Sequence, residues 1–148
     1  MGSYRLNTNY LLIKKVDHRA WTPTRAFPDD AGLDLFAIED TKIPADSFQN
    51  VRTGLAVKIA DGFWGMIRPR SSTFFKRNLV VHEGTIDPGY TGELNIGVYN
   101  PSKEDVIVLA GDRIAQLVII ALEIHKIEIV DYLPDTSRGP AGFGSSGR

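Results

Sequence analysis

The chain reads as an all-β protein made of short strands. Three observations predict that class. Apolar and β-branched runs recur along the chain and are punctuated by Gly, Pro, Asn and Asp. No amphipathic helical pattern of three turns or more is present. The spacing of the runs suits a sandwich or a barrel rather than alternating strand and helix units.

Taken in order, Tyr10–Val16 is an apolar, β-rich run and Gly32–Ala37 a second, shorter one. Leu55–Ile59 and Phe63–Arg68 flank Ala60-Asp61-Gly62, which predicts a hairpin loop. Gly92–Asn100 and Val106–Leu109 flank Pro101–Asp105, a second expected hairpin. Arg113–Ile120 and Ile124–Val130 are β-branched and long enough for buried strands. Ser71–Asn78 is the one expected helix, capped by Ser71 or Ser72 and ended by Asn78. From Pro134 the chain becomes rich in Gly, Ser and Pro. Residues 1–133 are therefore expected to form one β domain and residues 134–148 a flexible C-terminal arm.

Composition narrows the function. The 148 residues suit a single domain, and the absence of cysteine excludes a disulfide scaffold, a thiolate zinc site and a cysteine nucleophile. A formal net charge of −1 gives no broad electrostatic reason to bind nucleic acid or an anionic membrane. No apolar run reaches the roughly 18 residues of a membrane span, and Met1–Arg5 lacks the apolar stretch of a secretory signal, so a cytoplasmic location is expected. His18, His82 and His125 are scattered, without metal-ligand spacing.

Five segments carry candidate chemistry: Ala31-Gly32-Leu33-Asp34-Leu35, Arg68-Pro69-Arg70-Ser71-Ser72, Gly84-Thr85-Ile86-Asp87-Pro88-Gly89-Tyr90, Gly111-Asp112-Arg113-Ile114-Ala115-Gln116, and Arg138 to Gly147. In the second, a guanidinium beside two hydroxyls at a helix start suits a phosphate, and equally a cap with a surface salt bridge. Asp87, after an apolar run and before Pro88-Gly89, is placed as a general base would be, or as a plain turn residue. Gly111-Asp112-Arg113 reads as an ordinary turn into a strand. Gln116 inside that strand is either a satisfied core amide or a ligand contact. In the tail, Phe143 sits among glycines with no core of its own to enter, and Arg138 precedes it at a distance suited to gripping two parts of one ligand.

In this order, the five segments resemble the five motifs of the trimeric dUTPase family, from about Asp30 to Gly147. The resemblance implies a β-barrel or jelly-roll-like subunit with one short helix, assembled as a homotrimer. Each site would lie at a subunit boundary, closed by the arm of a neighbouring chain. It implies hydrolysis of dUTP to dUMP and pyrophosphate, which limits uracil incorporation into DNA and supplies dUMP for dTMP synthesis. The cofactor it implies is Mg²⁺, which would be held mainly by the triphosphate and water. Asp87 is the implied base toward a water attacking the α-phosphorus. Arg70, Ser71, Ser72 and Gln116 would hold phosphate oxygens, and Asp34 would support the site through metal-bound water or through basic neighbours. Uracil lies in the hairpin around Val81–Asp87, with Gly84, Thr85 and Ile86 reading it through backbone groups and Asn95 lining the pocket. Tyr90 packs under the deoxyribose. By the same resemblance Phe143 would stack on the base, Arg138, Ser145 and Ser146 would meet the terminal phosphates, and Gly144 would belong to the same substrate-binding arm.

Some positions depart from the family pattern. Ser72 stands where many relatives have Gly, Leu33 where many have an aromatic, and Thr91 where many have Arg. Val80-Val81-His82-Glu83 lacks the usual uracil-contacting asparagine, leaving His82 or backbone groups to take its place. Two alternatives compete with hydrolysis. A dCTP deaminase of the same fold needs a glutamate where Gly97 stands and an arginine where Phe75 stands. The second is a non-catalytic module that binds nucleotide or a protein partner and signals; Asp87, Arg138 and Phe143 favour catalysis, since a merely structural module has no need of all three.

Overall fold

The computed structural model describes residues 10–142, and its regular structure is almost entirely β. Its strands are β1 (Leu12–Lys15), β2 (Gly32–Phe36), β3 (Thr41–Ile43), β4 (Ser47–Lys58), β5 (Phe63–Pro69), β6 (Val80–Val81), β7 (Gly84–Ile86), β8 (Glu93–Asn100), β9 (Val106–Val108) and β10 (Arg113–Ala121). The one helix among the described residues, α1 (Ser71–Arg77), joins β5 to β6. One four-stranded sheet runs β1-β4-β8-β6, a second runs β2-β10-β5-β7, and β3 pairs with β9 alone. The all-β class is as expected. The sheets do not close into a barrel, because β1, β6, β2 and β7 remain as edges.

The core follows from strand alternation. On β8, Leu94, Ile96 and Val98 point inward, while Glu93, Asn95, Gly97 and Tyr99 face out. They meet Leu35, Ile67, Ile114 and Leu117 from the second sheet. Asn100 continues the inward series although it is polar and 0% exposed. Its Nδ2 donates to the carbonyls of Ile43 (3.1 Å) and Glu104 (2.7 Å), and its Oδ1 accepts from Ser102 N (3.0 Å) and Ser102 Oγ (2.7 Å). With both ends of the amide satisfied, its burial carries no unpaired-group penalty.

Several expected local pairings are absent. The Ala60–Gly62 turn forms, with Phe63 N donating to Ala60 O, but β4 and β5 that flank it belong to different sheets. The loop at residues 101–105 likewise joins β8 to β9, and β9 pairs with β3 instead. Turn residues specify a reversal of direction; which strand then accepts the ladder is decided by burial across the whole domain. The helix begins at Arg70 as its cap, with no side-chain cap bond, so neither serine caps it. Asn78 closes it as expected in the left-handed region, at φ 51°.

Ile124–Val130 is not a strand. Ile124, Ile127 and Ile129 are 87%, 94% and 95% exposed; β10 already has β2 and β5 on its two sides, and the segment pairs with none of the open edges of its own chain. Among the described residues no helix is long and apolar enough to cross a membrane.

Candidate active site

The second sheet assembles the first half of the site. β5 ends at Pro69 and the chain turns into α1, leaving Arg70 extended at the junction. Asp34, on β2, is 7% exposed. Its Oδ1 accepts from Arg70 Nε at 2.7 Å and its Oδ2 from Arg113 Nη1 at 3.3 Å. Arg70 Nη1 also donates to Ser72 Oγ (3.2 Å) and to the Arg113 carbonyl (3.3 Å). Gln116 stands opposite Asp34 on one side and Arg68 on the other, and its Nε2 donates to Pro69 O at 3.0 Å. Gly32 makes room for that amide, since a Cβ there would lie 2.0 Å from Gln116 Oε1. Asp30, Gly32, Asp34, Arg70, Ser71 and Gln116 line a cavity of about 260 Å³.

Two further bonds fix α1, one to β10 and one to the turn before it. Thr73, buried, donates from Oγ1 to Ile114 O at 2.9 Å. Arg77 Nη1 meets Asp112 Oδ2 at 2.5 Å, and the same oxygen accepts from Leu109 N at 2.8 Å. The guanidinium holds the Asp112 carboxyl below the usual carboxylate range.

The second half of the site lies where the chain passes between sheets. Val81 pairs with Val98 in one sheet, and Gly84–Ile86 pair with Gly65–Ile67 of β5 in the other. The expected Val81–Asp87 hairpin is therefore a crossing, not a ladder of its own. The Val81 side chain is buried in the core, which leaves only its backbone to meet a ligand. His82 N donates to Gly97 O at 2.8 Å, and His82 covers the outer face of Gly97. Asn95 points out on that same face of β8.

Asp87 is exposed and heads a turn closed by Tyr90 N to Asp87 O at 3.0 Å. Tyr90 Oη donates to Glu93 O at 2.9 Å, and Gly92 allows the ring to fold back, since a Cβ there would lie 2.6 Å from that hydroxyl. Glu93 is held in turn by Arg52 Nε (3.2 Å) and Gly54 N (2.9 Å).

The two halves sit at opposite ends of β5. Ile86 is opposite Gly65, five residues before Arg70, and Asp87 continues away from it. At the rise of an extended strand this is roughly 16 Å. Arg138 joins neither half; its Nε donates to Ala141 O at 3.0 Å. Phe143, Gly144, Ser145 and Ser146 lie outside the described residues. Arg113 is the residue that sequence reasoning missed. It read as part of an ordinary turn, and only the register shift between Arg113 and Ala115 brings it to Asp34 while Gln116 also faces the cavity.

A carboxylate paired with two arginines, beside hydroxyls and an amide at a cavity, has donor chemistry suited to anionic oxygens. Residues 18–147 match the family model for dUTPase. The chain belongs to the dUTPase family. Among relatives, the deoxyuridine 5'-triphosphate nucleotidohydrolase of Paramecium bursaria Chlorella virus 1 is 40% identical over 137 residues, spanning 93% of this chain and 97% of that protein. Among solved structures, the Staphylococcus bacteriophage 80alpha dUTPase with dUPNHPP matches with a TM-score of 0.90 at 30% identity, covering 95% of this chain and 100% of that one. The D95N dUTPase from phage phi11 of S. aureus, described with a structural Mg(II) ion, matches with a TM-score of 0.79 at 27% identity, covering 84% and 98%.

For this dUTPase family member, Asp34→Asn is expected to lower stability. It removes the charge that Arg70 and Arg113 share. The expected loss is about 2 kcal/mol, less than for a fully buried pair because Arg113 is half exposed. Urea denaturation measures it; an unchanged midpoint would show that the arginines do not depend on Asp34.

Proposed function

We propose that this chain hydrolyses dUTP to dUMP and pyrophosphate, with Asp87 as general base toward a water that attacks the α-phosphorus. One observation carries the proposal beyond family membership. Asp34, Arg70 and Gln116 line a cavity whose donors suit phosphate oxygens, with Arg113 paired to Asp34, while an exposed carboxylate is held in a separate, pinned turn. Arg70, Ser71, Ser72 and Gln116 bind the phosphates, and Asp34 and Arg113 keep Arg70 aimed. Backbone groups of Gly84, Thr85 and Ile86 read the uracil, with Asn95 and His82 on the outer face of the first sheet beside it. A fixed donor and acceptor pattern rejects cytosine by leaving polar groups unpaired. Tyr90, locked over Gly92, packs against deoxyribose and leaves no room for a 2′-hydroxyl.

The roughly 16 Å between the two halves within one chain supports a site shared between subunits. So does the outer face of the second sheet, where Trp64, Met66, Val118 and Ile120 present half-buried apolar surface. The exposed Ile124, Ile127 and Ile129 add a segment that needs a neighbour to bury it. A closed homotrimer, each site covered by the arm of another chain carrying Arg138 and Phe143, meets both needs.

Among the described residues no group of three or more His, Cys, Asp or Glu could hold a metal ion. The donors at the cavity suit phosphate oxygens, and Asp34 is already engaged by two arginines. They fit a Mg²⁺ carried mainly by the triphosphate and water, which would draw charge from the α-phosphorus.

Deamination of dCTP has no support at Gly97, where His82 lies over the strand and no carboxylate is available. Pyrophosphate release from dUTP, dCTP, dTTP and UTP with Mg²⁺ tests the proposal. Release from dUTP should exceed that from dCTP by about 10⁴, the scale on which a hydrogen-bonding pocket rejects a mismatched partner. Ammonia from dCTP, or no product from dUTP, would overturn it.

A further inference from the structure

The turn that carries Asp87 has little packing of its own. Pro88 has no N–H to donate, and a Cβ added at Gly89 would meet nothing within 4 Å. The turn's internal bond is Tyr90 N to Asp87 O. A general base is useful only if it is held near its productive position, and small displacements cost rate. Something on the body of the domain has to hold this turn.

Lys58 is placed to do so. It is the last residue of β4, in the first sheet, whereas the turn follows β7 in the second. Its Nζ donates to Pro88 O at 2.9 Å and to Ile59 O at 3.0 Å. Asp61 Oδ1 lies 3.6 Å from the same nitrogen, on a fully exposed side chain, and adds little. An ammonium has three donors, so one lysine can hold two carbonyls on two segments. Bonds from a charged donor are about twice as strong as neutral ones.

We propose that Lys58 is a positioning residue for the catalytic turn: its ammonium holds the Pro88 carbonyl and thereby sets Asp87 on one side and Tyr90 on the other. The proposal rests on Asp87 being the base. It goes further by making one lysine act on both rate and sugar discrimination, because both groups ride on the same turn. A lysine serving only solubility or general stability would not couple the two.

The test uses the full-length protein with Lys58→Met, which keeps the aliphatic stem without donors, and Lys58→Arg, which restores them. Asp87→Asn serves as reference. Lys58→Met should lower kcat for dUTP about tenfold, the scale of one charge-assisted hydrogen bond. KM should move less, and the preference for dUTP over UTP should weaken. Hydrogen–deuterium exchange at the Tyr90 amide should quicken while the urea midpoint stays close to wild type. Lys58→Arg should recover most of kcat and slow that exchange again. If Lys58→Met does not assemble, Lys58→Gln gives the same comparison with a neutral donor.

Wild-type kcat and unchanged Tyr90 exchange in Lys58→Met, beside an inactive Asp87→Asn, would overturn the role of Lys58 and leave the base standing. An Asp87→Asn protein with full turnover would remove the base, and the role of Lys58 with it. Losses in Lys58→Met and Lys58→Arg that track the urea midpoint equally would make the lysine merely structural.

Discussion

Asp87→Asn is expected to bind dUTP and lose turnover by about 10²–10⁴, the contribution of a positioned general base. Asparagine matches the carboxylate in size but cannot take a proton from water. The side chain is exposed, so the fold should lose no more than about 0.5 kcal/mol, as at most surface sites. The bond that shapes the turn, Tyr90 N to Asp87 O, uses the backbone and survives the change. Binding of a non-hydrolysable dUTP analogue, measured by calorimetry, should therefore be near wild type while single-turnover pyrophosphate release collapses. Equal loss of both would assign Asp87 to binding rather than to proton transfer. Unchanged turnover would place the base elsewhere.

Mixing two inactive variants should restore activity. Arg70→Ala removes the guanidinium that bridges Asp34, Ser72 and the Arg113 carbonyl, and Asp87→Asn removes the proposed base at the other end of β5. If each site takes its phosphate half from one chain and its base half from another, co-refolded trimers regain roughly one functional site in four. If both halves act within one chain, the mixture stays as inactive as its parts. The restored activity should exceed the sum of the separate variants far beyond error, because the starting losses are so large. Native mass spectrometry confirms that the chains have mixed. The distance within one chain favours recovery: no rotamer of Asp87 or Arg70 spans roughly 16 Å.

Much of the architecture was legible in the residues. β-Branched runs and turn formers identified the class, and β2, β5, β8 and β10 fall close to where the runs lie. Asn78 marked the end of the helix because few residues tolerate the left-handed conformation it adopts. Strand partners were not legible. The Ala60–Gly62 turn has hairpin chemistry, yet its flanks enter different sheets, since a turn constrains a few dihedrals whereas partner choice depends on what the whole strand buries. Ile124–Val130 has strand composition and no strand, because composition gives a propensity to pair but does not bring the segment to one of the open edges.

The same division runs through the site. The residue types of the proposed site and their order, from Asp34 through Arg70 and Asp87 to Gln116, can be read from the chain itself. Arg113 and Lys58 had no such signature. A register shift on β10 turns Arg113 toward Asp34, and the crossing between sheets brings Pro88 to the end of β4. Both are consequences of long-range packing, in which two distant backbone segments meet at hydrogen-bond distance and a polar side chain acquires a task that no local pattern encodes. Which groups are available was thus determined by sequence; which of them meet was decided only when the two sheets closed over a common core.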